Sequence, residues 1–82
     1  MPKIIVEIMP KQDLLDPQGK AVANALVRGG NKDISGVRMG KRIELHFDRE
    51  VNEKDIEEAK TQAKEFLSND VIEDVVAVTV EN

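Results

Sequence analysis

The chain has 82 residues, no cysteine, no Trp or Tyr, two Phe and a formal net charge of −4. Its size allows one domain, which buries only about 60% of the surface its unfolded chain exposes. The missing cysteines exclude disulfide support, and the negative charge disfavours a general attraction to nucleic-acid backbones.

Residues 3–9 alternate, with Ile4, Val6 and Ile8 on one face and Ile5 and Met9 on the other, which predicts a strand. No run approaches the ~20 apolar residues of a membrane helix. Nor does the N-terminal stretch, interrupted by Glu7, have the form of an export signal. A cytoplasmic protein is expected, with no membrane and no nucleic acid among its partners. Residues 11–15 read as a loop. Asp16 and Pro17 then open a helix, because a carboxylate caps free N–H groups and proline needs none at the first position. Its apolar stripe is Ala21, Val22, Ala25 and Leu26, and Gly29-Gly30 ends it.

Residues 34–39 are expected to form a short second strand, followed by a turn or bulge at Gly40. Residues 41–47 alternate clearly, with Ile43, Leu45 and Phe47 inward and Arg42, Glu44 and His46 outward. Asn52 caps a second helix whose stripe is Ile56, Ala59, Ala63, Phe66 and Leu67. Ser68-Asn69-Asp70 ends it, and residues 71–81 contain a last strand centred on the β-branched run 75–80. The order is β-α-β-β-α-β. That predicts an α+β, ferredoxin-like (split βαβ) domain over residues 1–82, with an antiparallel sheet and both helices on one face.

Two helices cover one face of such a sheet, yet the first and last strands are apolar on both. With those strands adjacent, Ile5, Met9, Val75 and Ala77 are expected to form a spare apolar patch for self-association.

Chemistry is harder to find. The single histidine, His46, lies on an outward strand position without cysteines or clustered carboxylates, a poor basis for a metal site. Glu57 and Glu58 read as a solvated helix surface beside Lys54, Lys60 and Lys64. Asp16-Pro17-Gln18-Gly19-Lys20 is the most unusual stretch, because a glycine in a first helical turn costs up to about 1 kcal/mol and lets another backbone approach. Arg38, Lys41 and Arg42 around Gly40 form a basic cluster without the aromatics that stack on nucleic-acid bases. No catalytic, cofactor-binding or metal-binding residue is assigned. Asp16, Pro17, Gly19 and Lys20, with Arg38, Gly40 and Lys41, are expected to contact partner proteins.

The stretches Leu15-Asp16-Pro17-Gln18-Gly19-Lys20-Ala21-Val22, Val37-Arg38-Met39-Gly40-Lys41 and Asn69-Asp70-Val71-Ile72-Glu73-Asp74 occur in this order. Together they resemble the PurS family, the small subunit of phosphoribosylformylglycinamidine synthase, over essentially the whole chain. The resemblance implies a part in de novo purine synthesis. A glutaminase subunit would release ammonia, and a large synthetase subunit would use it with ATP and magnesium. This chain would hold no cofactor. It would bridge the two as a homo-oligomer, a dimer or dimer of dimers, and support ammonia transfer. The competing reading is an ACT-like regulatory module of the same β-α-β-β-α-β order, which would bind amino acids; an amino-acid titration separates the two.

Overall fold

The computed structural model describes residues 1–82. The elements are β1 (Lys3–Pro10), α1 (Pro17–Arg28), β2 (Lys41–His46), α2 (Glu53–Gln62), a π-helical turn (Ala63–Leu67) and β3 (Glu73–Glu81). The sheet runs β2-β1-β3, antiparallel throughout. β1 is central, with a neighbouring strand on each side. Ile4 lies between Leu45 and Val80, and Val6 between Ile43 and Val78. Ile4, Val6 and Ile8 are fully buried on this face, beneath Ala59 and Ala63. Those small residues let α2 sit close to the sheet.

The start of α2 is held by a reciprocal cap. The Asn52 side chain accepts from Asp55 N–H at 2.9 Å, and Asp55 accepts from Asn52 N–H at 3.0 Å. Arg49 adds two bonds to the Asp55 carboxylate, at 2.6 and 2.8 Å, and stands over the Phe47 ring at 5.3 Å. The expected cap at Asn52 is therefore present, with an arginine clamp that spacing alone did not reveal.

The β-α-β-β-α-β chain path, with the first strand beside the last, is that of the expected fold. The placement of its first half differs. Residues 34–39 run without helix or ladder, so the position beside β2 is unfilled. α1 forms no extensive packing with the sheet or with α2. The radius of gyration is 15.9 Å, against about 12 Å for a compact chain of this length. α1 and residues 34–39 thus make a projecting arm, with Leu26 and Val27 on it 38% and 42% exposed. The glycine stop holds: Gly30 takes φ 102°, and its N–H reaches the Val27 carbonyl at 3.0 Å.

Two further differences follow from single extra residues. The ladder between β1 and β3 slips between Glu7 and Ile8, so Ala77 faces Glu7 but Val75 faces Ile8. Val76 is the bulged residue, and Val75 joins the core face with Val78. Val75 therefore does not share a face with Ala77, Ile5 and Met9. The π-helical turn closes the end of α2 with a wider loop, which leaves Phe66 exposed although its spacing placed it in the stripe.

The other face of the sheet is not an apolar patch either. Ile5 is only 2% exposed there. Lys3 bridges Glu44 and Glu81 at 3.4 and 3.9 Å. Arg42 reaches across β1 to Glu81 at 3.6 Å and also pairs with Glu44, which accepts from His46 at 3.0 Å. Ile5 lies between Glu44 and Thr79 among these long side chains. Exposed apolar side chains lie instead on the arm, at one end of the sheet, at Phe66 and at Val76 and Val80 on β3.

Two carboxylates with strongly lowered pKa values contribute to the pH dependence of this framework. Arg42, then His46, hold Glu44 down to about 2 from its ordinary 4.5. Arg49, then the Asn52 N–H, hold Asp55 down to about 2 from 3.8. Above about pH 5 both groups are ionised whether folded or not, and their contribution is complete. As pH falls below that, the unfolded chain takes up protons that the folded chain refuses, so stability declines until both are protonated near pH 2. Urea midpoints measured from about pH 6 to 2 should fall, and Asp55→Asn should flatten part of that slope.

Candidate functional site

The three stretches singled out in the sequence meet at one end of the sheet. Asp16 is their hinge. One carboxylate oxygen accepts from Gly19 N–H at 2.9 Å, and the other from Met39 N–H at 2.8 Å. These donors, Gly19 first, lower the pKa of Asp16. Gly19 is the only buried residue of α1, and the Val37 carbonyl oxygen lies 2.1 Å from where a Cβ would stand. A side chain there is incompatible with the clasp, which gives the glycine its physical reason.

The second stretch is tied to β1. Arg38 donates to the Pro10 carbonyl. Gly40 faces Met9 and Ile8, whose Sδ and carbonyl oxygen lie 2.3 and 2.4 Å from a hypothetical Cβ. The third stretch is tied in by Lys41, whose ammonium lies 3.1 Å from Glu73. Glu73 in turn accepts from Asn69 N–H at 2.8 Å, and this bond, with Lys41, lowers its pKa. Lys11 completes the joint through Asp74 at 2.7 Å and the Ile72 carbonyl at 2.9 Å.

Between the three stretches lies a cleft of about 530 Å³ whose walls include Leu14, Leu15, Pro17, Gln18, Met39 and Ile72. Leu15 is 83% exposed, and Val71 next to Ile72 is 77% exposed. Apolar side chains held in water by charged and glycine-based clasps form a surface for another molecule to cover.

Of the residues assigned to partner contact, Asp16, Gly19 and Gly40 are engaged in holding the clasp. Arg38 and Lys41 brace it while remaining exposed, and Pro17 and Lys20 are exposed beside it. Leu14, Leu15, Met39 and Ile72 line the cleft, with Val71 beside it, and were not among the residues assigned. Their signal was available in part: Leu14-Leu15 and Val71-Ile72 are apolar pairs in segments without helix or strand periodicity. His46 stands apart on the open sheet face with Glu44.

A sequence model of the PurS family, described as phosphoribosylformylglycinamidine (FGAM) synthase, matches residues 3–81. The phosphoribosylformylglycinamidine synthase subunit PurS of Mycobacterium leprae is 43% identical over 74 residues, 90% of each chain. The crystal structure of Methanocaldococcus jannaschii PurS is of one of the subunits of formylglycinamide ribonucleotide amidotransferase in the purine biosynthetic pathway. It covers 100% of this chain and 98% of its own, with 33% identity and a TM-score of 0.82. Bacillus subtilis PurS covers 100% of both chains with 35% identity and a TM-score of 0.79. Since these matches span the clasp, the arm and the sheet together, the chain belongs to the PurS family.

Proposed function

We propose that this chain is the non-catalytic small subunit of an FGAM synthase complex in de novo purine biosynthesis. In this reading it bridges a glutaminase subunit and an ATP-dependent synthetase subunit. ATP and magnesium act in the synthetase, and this chain binds no cofactor. Ammonia passing between two active sites must be kept from water, and a rigid docking piece serves that end. The proposed setting is the cytoplasm; no helix of the chain is long and apolar enough to cross a membrane.

The observation that carries the proposal is the convergence of all three marked stretches on one apolar cleft. The clasp makes that surface rigid, so little ordering entropy is lost when a partner covers it. Leu15→Asp and Lys20→Glu change only exposed side chains. Each should leave the melting temperature within about 2 °C. Leu15→Asp should also weaken co-purification with the co-expressed glutaminase and synthetase by about tenfold or more. Unchanged assembly and unchanged glutamine-dependent activity would remove the cleft from the interface.

The subunit is also proposed to act as a homodimer. Phe47 N–H donates to the Pro2 carbonyl. By the alternation of an antiparallel ladder, Arg42, Glu44 and His46 therefore turn their backbone groups to the open edge of β2. Residues 34–39, which would pair there, are instead anchored by Val37 against Gly19 and Met39 against Asp16. A second copy can supply its own residues 34–39 to that edge and receive the same in return. Such an exchange would also cover Leu26 and Val27 of the arm. A clean monomer in sedimentation at micromolar concentration would overturn it.

A further inference from the structure

Phe66 is one of the two aromatic residues of the chain and is 77% exposed. Regular helical spacing after Ile56, Ala59 and Ala63 would have turned it toward the sheet. The π-helical turn prevents this. Ser68 N–H closes the turn on the Ala63 carbonyl at 2.9 Å, and the Ser68 hydroxyl donates to the same oxygen at 2.8 Å. Each residue of the wider turn advances through a smaller angle, so Phe66 stays outside while Leu67 returns to the core. Such turns interrupt regular helical bonding and recur at functional positions. Here the result is a phenyl ring presented to water.

The ring stands in a shallow hollow with Lys54, Glu57, Glu58, Thr61, Gln62 and Glu65. No other apolar side chain lines it. Three carboxylates face one ammonium there, and the nearby Lys60 is already 3.6 Å from Glu57. A second copy of a chain with net charge −4 is a poor match for that rim. The open edge of β2 and the arm, which serve the dimer, are on other elements. Large aromatic anchors within a charged rim are the usual centres of protein interfaces.

We propose that the outer face of α2 around Phe66 docks a basic protein surface carrying an apolar pocket, on one of the two larger subunits. This rests on the subunit reading above. The ring fills the pocket and sets the lifetime of the contact. Glu57, Glu58 and Glu65 face cationic side chains at its rim and speed association.

The test is calorimetric titration of the purified chain into each purified larger subunit, at low and high salt. Wild-type binding should weaken with salt. Phe66→Ala should lose about tenfold or more in affinity, with sedimentation and melting unchanged, and Phe66→Leu should recover part of it. Glu58→Lys with Glu65→Lys should slow association and reduce the salt dependence. Equal affinity of Phe66→Ala and wild type would overturn the proposal while leaving the subunit reading intact. A smaller sedimenting species for Phe66→Ala would overturn it in favour of a second copy. Wild-type chain that binds neither larger subunit would sink the subunit reading itself, and this contact with it.

Discussion

Gly19→Ala is expected to lower stability by about 2 kcal/mol or more, the range for forcing atoms into closed space. The added Cβ would lie 2.1 Å from the Val37 oxygen and 2.7 Å from an Asp16 carboxylate oxygen. Neither is the end of a flexible side chain with somewhere to go. The Val37 carbonyl must withdraw, and Met39 N–H, two residues on, then loses its place on Asp16. Gly40→Ala should cost somewhat less, because one of its obstacles is the mobile thioether of Met9 and only the other is backbone. Gly36→Ala is the control. Nothing lies within 4 Å of its Cβ position, so it should be neutral or slightly stabilising through the unfolded chain. Urea midpoints of the three variants rank these outcomes directly. Equal midpoints for Gly19→Ala and Gly36→Ala would mean that the clasp does not hold in solution. The same contacts set both the cleft and the arm, so Gly19→Ala should disturb both.

Proline at position 34 or 35 should convert the proposed dimer to monomer at micromolar concentration. Neither Ile34 nor Ser35 uses its backbone N–H within the chain. An isolated protomer therefore tolerates either substitution, and the melting curve of its own sheet should be little changed. In the proposed exchanged dimer these residues would lie in a ladder, where one of two consecutive N–H groups must point at the neighbouring strand. Ile34→Pro and Ser35→Pro together sample both possibilities. The variant that removes the pairing donor should raise the dissociation constant by about a hundredfold or more, equivalent to roughly 3 kcal/mol. Amides of Arg42, Glu44 and His46 supply an independent readout. They should resist hydrogen exchange in the wild-type dimer and lose that protection in the proline variant. A wild-type dimer that neither proline disturbs would place self-association elsewhere on the surface.

Much of this protein is local in origin and legible without coordinates. Alternation in residues 3–9 and 41–47 specifies two strands and their inner faces, because side chains on extended backbone must alternate. Asp16 with Pro17, Asn52 with Asp55, and Gly29-Gly30 mark helix ends, because the groups they satisfy lie within a few residues. The three stretches around Asp16, Gly40 and Glu73 were visible as unusual, and they do meet. What they do was not visible. The intrachain partners of Asp16 and Gly19, Met39 and Val37, lie some 20 residues away in the chain, beyond any local pattern.

Sequence alone thus determined the α+β class, the order of every element except the strand expected at 34–39, and the family, since caps and periodicities depend on near neighbours. Tertiary structure decided which face each residue takes and what remains uncovered. A single bulged residue at Val76 moved Val75 to the core side, and one wide turn moved Phe66 away from it. Contacts between distant segments hold α1 off the sheet and leave the edge of β2 open. Pattern reading fails at these places because a shift of one residue reverses a period of two, and the cause of the shift lies outside the window being read.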